Sequence, residues 1–259
     1  MYYGERIWTQ TDELAGRIVV VPLGSLEQHG HHLPMLTDSM IGAEIVRRAE
    51  AELGDTALFT PMLWVGASDH HLGFPGTISL SNDLYVSVLV DILESLISAG
   101  HRKILLLNAH GGNIVPGRMA MYDVQLRHLE KKDLWISLAT WFTIAAEQIA
   151  ALEELDQKAV THACELETSM ILHLRPELVD LQAARGTTIP FASAFYVPDF
   201  GAPSRVDVAR SFDQLSVTGA FGHPESATPA KGELLFDTAV REVVAFVREF
   251  ATWNEFEPR

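Results

Sequence analysis

Two short stretches constrain this chain most: IVVVPLG at residues 18–24 and KILLLN at 103–108. Both are apolar at successive positions, with no polar alternation. A strand of that kind has to be covered on both faces, which is the condition of a parallel sheet between two layers of helices. The segments between them fit. SMIGAEIVRRAEAELG (39–54) repeats Ile41, Ile45, Val46, Ala49 and Leu53 at helical spacing, and LYVSVLVDILESLISAG (84–100) reads as a helix stopped by Gly100. ALFTPML (57–63) and LWISLAT (134–140) supply further strands, and 114–130 a further helix. The alternation predicts an α/β fold over residues 1–259, a single-domain three-layer α/β/α sandwich with a mainly parallel sheet. Residues 186–228, rich in Gly, Pro and Ser, read as a long irregular excursion. A last helix is expected from Thr228, a cap residue, with Pro229 at its first turn.

Charge and composition narrow the partners. Lys and Arg total 19 against 34 Asp and Glu, a formal net charge of −15, so the overall field repels nucleic acid phosphates and anionic membrane. No apolar run approaches the ~20 residues of a membrane span. A lone cysteine, Cys164, rules out an intrachain disulfide. These features predict a cytoplasmic protein acting on a small molecule.

In a parallel sheet, ligands bind outside the carboxyl ends of the strands. Two loops leave such ends carrying metal-ligand side chains. GSLEQHGHHLPMLTD (24–38) holds Glu27, His29, His31, His32 and Asp38, and NAHGGN (108–113) holds His110. Glu27 and His29, two apart, point to one side of extended backbone, and Asp38 can swing back from the next helix. Carboxylates with imidazoles suit Zn, Mn or Fe(II). A third piece is THACELETSMILHLRP (161–176), read as a helix. At 100° per residue Glu167 falls within an apolar stripe of Ala163, Met170, Ile171 and Leu174, whereas Glu165 falls nearly opposite and is expected to be solvated. A carboxylate facing the interior needs a cation.

Taken in order, GSLEQHGHHLPMLTD, GASDHHLGFPGTISL (66–80), LNAHGGN, HACELETS (162–169) and GAFGHPESATPAKGE (219–233) resemble the creatininase, or creatinine amidohydrolase, family. The resemblance implies an α/β hydrolase of amide-type C–N bonds with two divalent metal ions per chain (Zn, Mn or Fe) and homo-oligomeric, often hexameric, assembly. It implies one metal on Glu27, Asp38 and His110, the other on His29 and a bridging Asp38, and general acid/base work for His162. His32 and His71 are then supporting groups around the metals, Asn113 shapes its loop, and Cys164 packs. His31, Asp69 and His70 are expected to be solvated. Two departures stand out. Where creatininase has a second-metal glutamate two residues after the metal histidine, this chain has Gly112. Where it has a pocket tryptophan four residues before the position of His162, this chain has Lys158, which leaves Trp141 as the nearby aromatic candidate. The empty coordination position and the inward-facing Glu167 ask for each other, so Glu167 is expected to complete the second metal. The substrate expected is a small cyclic amide or a formamide, with creatinine a poor one. The alternatives are hydrolysis of another bond on the same centre, such as C–C cleavage of a cyclic keto-sugar of keto-inositol type, and a non-catalytic metal-binding assembly protein.

Overall fold

The computed structural model describes residues 1–10, 12–198 and 203–254. Four parallel strands, β1 (Ile18–Leu23), β2 (Ala57–Phe59), β3 (Lys103–Asn108) and β4 (Trp135–Thr140), pair in the order β2-β1-β3-β4. Successive side chains of a strand point to opposite faces, and here each face has its own core. Ile18, Val20, Leu105 and Leu107 pack with α1 (Thr37–Leu53), α6 (Glu165–Leu174) and α7 (Pro229–Thr252). Val19, Val21, Leu23, Ile104 and Leu106 pack with α2 (Asn82–Ser98) and α3 (Ile114–Arg127). This is the three-layer α/β/α arrangement that unbroken apolar strands require. Two short helices, α4 (Trp141–Ile144) and α5 (Ala146–Ala150), follow β4.

The order of strands positions the site. From β1 the chain crosses to β2 on one side, whereas β3 and β4 lie on the other, so the strand order reverses between β1 and β3. Their carboxyl ends meet there, Leu23 beside Asn108. Loops leaving adjacent strands on opposite sides of such a switch point open a crevice between them. Both ligand-bearing loops leave from it.

Three boundaries differ from the sequence-based expectation by three residues or more. β2 stops at Phe59, three residues long, and of its expected continuation only Leu63 makes a further bridge, to Leu23. Pro61 cannot donate to a ladder, which accounts for the break. α6 begins at Glu165 rather than at Thr161, because Ala163 takes a left-handed φ of 48° that no helix accommodates. α3 ends at Arg127. The excursion at 186–228 contains, among its described residues, only 3-10 turns and an isolated bridge between Thr188 and Ser216. α7 starts as its cap dictates, Thr228 Oγ1 accepting from Lys231 N at 3.3 Å. Among the described residues no helix is long and apolar enough to cross a membrane.

Candidate metal centre

The loop after β1 turns Glu27 and His29 into the protein, 1% and 0% exposed, and Asp38 reaches them from the first turn of α1 at 4%. Ser25 Oγ donates to Asp38 Oδ2 at 2.6 Å, and Ser39 Oγ holds the loop by donating to Ser25 O at 2.8 Å. His110 arrives from the loop after β3. Asn113 ties the three loops together: its amide donates to Gly24 O at 3.0 Å and Asn108 Oδ1 at 3.1 Å, and its Oδ1 accepts Ala67 N–H at 3.0 Å.

The histidines show a common pattern. In each, one ring nitrogen faces a backbone carbonyl: His29 Nδ1 to Glu27 O at 3.2 Å, His110 Nε2 to Ala67 O at 3.2 Å, His162 Nε2 to Gln28 O at 2.8 Å. A carbonyl only accepts, so that nitrogen carries the hydrogen, and in the neutral ring the other nitrogen is a bare lone pair. Those second nitrogens all point at carboxylates. His29 Nε2 lies 3.2 Å from Asp38 Oδ1, His110 Nδ1 3.1 Å from Asp38 Oδ2 and 3.2 Å from Glu27 Oε1, and His162 Nδ1 3.8 Å from Glu27 Oε1. A lone pair aimed at a carboxylate requires a positive charge between them, either a proton or a metal ion.

Without a metal, protons must serve. Burial works against charging His29 and His110, yet the facing carboxylates prevail: His29 is raised to about 9 by Asp38, and His110 goes well above its ordinary value through Glu27 and Asp38. Burial likewise pushes Glu27 up, but His110 and His71 outweigh it and hold the carboxyl well below the usual range. Burial wins at Glu167, which rises to about 7. Both Glu27 oxygens are buried and neither accepts a directional hydrogen bond. Orphaned carboxylate oxygens ringed by imidazole lone pairs fit a divalent cation. Among the described residues three groups bring ligand atoms within 4.8 Å of one another: Glu27, Asp38 and His110; His29, His162 and Glu167; and Glu27, His71 and His162.

Hydrogen bonding discriminates among them. Gln28 Oε1 accepts Gly30 N–H at 2.9 Å, so the opposite end of its amide, Nε2, is the atom 2.9 Å from His71 Nδ1. His71 therefore accepts on Nδ1 and turns Nε2–H, not a lone pair, toward Glu27 Oε1 at 3.1 Å. In that tautomer no lone pair of His71 faces Glu27. Gln28 is a residue sequence reasoning missed, although its place between Glu27 and His29 in LEQHG was the available signal.

The structure brings Glu27, His29, Asp38, His110, His162, Glu167 and His71 together. His32 stands apart as a strut, its Nε2 3.0 Å from Thr168 Oγ1 on α6, and burial lowers it to about 4. Trp141 is not at a pocket rim: it is 2% exposed in the core and packs edge-on against Phe142. Glu165, expected to be solvated, is fully buried, because α6 is covered on every side from Glu165 to Leu172 and has no solvent face there. His70, also expected to be solvated, stacks on His110 with ring centroids 5.7 Å apart. Phe212, which sequence reasoning did not single out, roofs the cluster from the irregular excursion, its ring 4.2 Å from His71 and 5.0 Å from both His70 and His162. At Gly112 a Cβ would stand 2.2 Å from Ala67 O and 2.6 Å from His70 Cε1, so no side chain fits there. Glu167, third residue of α6, accepts the Cys164 N–H at 3.4 Å with Oε2, half of a capping box, at a helix end where the dipole favours negative charge.

A model of the creatininase family, described as creatinine amidohydrolase, matches residues 5–247. The chain is 32% identical over 225 residues to the mycofactocin precursor peptide peptidase of Mycolicibacterium smegmatis, covering 85% of this chain and 79% of that one. To the creatinine amidohydrolase of Pseudomonas putida it is 27% identical over 100% of this chain and 98% of the other. A crystal structure of creatinine amidohydrolase superposes with a TM-score of 0.78 at 25% identity, over 96% of this chain and 97% of that one. Solved creatininases include a mutant of Zn–Zn type and a manganese form. With a family model matching nearly its whole length and a fold shared with solved creatininases, the chain belongs to the creatininase family of amidohydrolases.

Proposed function

We propose that this chain, acting as one domain, is a dinuclear metal-dependent amidohydrolase. Glu27, Asp38 and His110 would hold one divalent ion, and His29, Asp38 and Glu167 the other, with Asp38 bridging. The observation that carries this is the set of imidazole nitrogens at 3.1–3.2 Å from buried carboxylates, facing pairs that need a cation, a proton or a metal ion, between them. When bound, such a pair of ions polarises an amide carbonyl and makes water a nucleophile near neutral pH. The chain's own residues do the rest. The backbone carbonyls of Glu27, Ala67 and Gln28 fix which nitrogen of each imidazole is bare, as outer partners of metal-ligating histidines do. His162 is the proton carrier. Its Nδ1 stands farthest from a carboxylate of these imidazoles, 3.8 Å, leaving room to take a proton and return it to the departing nitrogen. Burial and the neighbouring imidazoles His29 and His71 disfavour its charged form and hold the ring neutral in the resting site.

Gly112 and Lys158 set the substrate apart from creatinine. The space beside Gly112 is filled by Ala67 and His70, and Lys158 is exposed with its ammonium turned to Leu152 O. We read the substrate as a small cyclic amide, a formamide or a peptide-like amide, and the assembly as a homo-oligomer. The test is hydrolysis by protein reconstituted with Zn, Mn and Fe in turn, against lactams, formamides, short peptides, cyclic keto-sugars and creatinine. Metal-dependent turnover of an amide, with creatinine well below the ~10⁴ M⁻¹s⁻¹ common for enzymes on their own substrates, is expected. Turnover of keto-sugars alone would overturn the amide assignment, and no turnover with two bound metals would overturn the enzyme assignment.

A further inference from the structure

Glu165 opens α6 two residues before Glu167 and is 0% exposed. Its carboxylate accepts the N–H of Gln157 at 2.7 Å and of Asp156 at 3.2 Å, and pairs with Lys231 Nζ at 2.6 Å. Lys231 sits in the first turn of α7, the end of a helix that disfavours a cation, and is held by this pairing and by Ser226 O at 2.8 Å. Gln157 extends the grip. Its Nε2 donates to Ala159 O at 2.8 Å and Thr161 Oγ1 at 2.9 Å, and its Oε1 accepts His223 N–H at 3.2 Å.

Residues 156–162 are thereby closed into a loop whose last member is His162, and His162 O accepts Phe221 N–H at 2.9 Å. The next residue, Ala163, is alone among the described non-glycine residues in having positive φ. Such a conformation persists only where the surroundings over-determine it. Here they do: the loop before it is tied to Glu165, and the helix after it begins with Glu165.

We infer that Glu165 is a positioning residue, a buried clamp that joins α6, α7 and the 156–162 loop so that the turn at Ala163 aims His162 Nδ1 into the carboxylate cluster. It touches neither metal ligand nor substrate. Activity as a readout rests on the hydrolase assignment above; amide exchange does not.

The experiment compares metal-loaded wild type, Glu165→Gln, Lys231→Met and Lys231→Arg for metal content, steady-state kinetics and amide hydrogen exchange. In Glu165→Gln and Lys231→Met, kcat should fall ~10- to 100-fold with KM nearly unchanged and both metals retained. Exchange across 156–162 should quicken about tenfold or more while β1 and β3 stay protected. Lys231→Arg should recover most of the loss. Loss of a metal, exchange quickened equally in the sheet, or undiminished kcat despite a loosened loop would each overturn the clamp. Should Glu165→Gln fail to fold, Gln157→Leu removes only the side-chain ties of the loop and must show the same split between kcat and metal content. If wild type hydrolyses no amide, the hydrolase assignment fails and the exchange pattern alone decides the clamp.

Discussion

Two buried charged clusters meet at the first turn of α6. On one side Glu165 has two backbone N–H donors and the Lys231 ammonium, so its charge is balanced by the protein itself. On the other, Glu27, Asp38 and Glu167 face the imidazoles of His29, His110 and His162, and the Glu27 oxygens accept no directional hydrogen bond. Both glutamates of α6 lie at the favourable end of its dipole and both are nine-tenths or more buried. Burial alone therefore does not mark a functional carboxylate. What separates the two is whether the protein supplies the compensating charge, since an uncompensated buried charge costs several kcal/mol. The complete cluster holds shape; the incomplete one is built for a cation.

That contrast can be broken most sharply at Asp38. Asp38→Asn should abolish binding of both metals, by elemental analysis, and reduce amide hydrolysis ~10³-fold or more; retention of either ion at full stoichiometry refutes the bridging role. Glu167→Gln comes next, losing most of one metal per chain and nearly all activity, whereas Glu165→Gln keeps both ions. If the two variants lose metal alike, the distinction between the clusters collapses. His162→Ala should keep both metals and lose ~10²- to 10⁴-fold in kcat. Loss of a metal instead would make His162 a ligand alongside His29 and Glu167, a set whose geometry the site also allows. Gln28→Leu removes the donor that sets the His71 tautomer and should cost ~10- to 100-fold in metal affinity or kcat, measured by titration of the metal-free protein. The smallest effect belongs to Cys164. Burial and nearby Glu167 push its thiol up to about 12, so it stays protonated and enclosed at pH 8. A thiol reagent should leave native protein unlabelled at that pH, and rapid labelling would show that the first turn of α6 opens.

Much of the scaffold is legible one segment at a time. β3 spans the residues its apolar run marks, and Thr228 with Pro229 marks the start of α7, because these signals are local: strand burial, side-chain capping, a fixed proline φ. The loops after β1 and β3 were legible for the same reason, as dense sets of ligand-type residues at strand ends. The start of α6 was not. Helical phase extends the pattern back to Thr161, but the left-handed Ala163 breaks the helix there, and the clamp we infer at Glu165 holds that turn through partners outside the segment, Gln157 and Lys231. Glu165 itself was misplaced because a helical wheel assumes one wet face, and α6 has none between Glu165 and Leu172. His70 and Phe212 come from segments with no shared periodicity and meet only on folding, with ring centroids 5.0 Å apart. Trp141 was read as a pocket aromatic from its nearness in sequence, and the packing of α4 on α7 puts it in the core instead.

By itself the sequence determined the α/β class, the edge of the sheet that carries the chemistry and the residue types able to bind a metal, since each depends on periodicity, strand burial or side-chain chemistry within a few residues. Tertiary structure alone decided which nitrogen of His110 and of His162 faces a carbonyl, which glutamate of HACELETS faces the cluster without a Lys or Arg partner, and what fills the space beside Gly112. Those outcomes depend on partners tens to more than a hundred residues away, Gln28 with His162 and Glu165 with Lys231 among them, which become neighbours only when the layers close on the sheet.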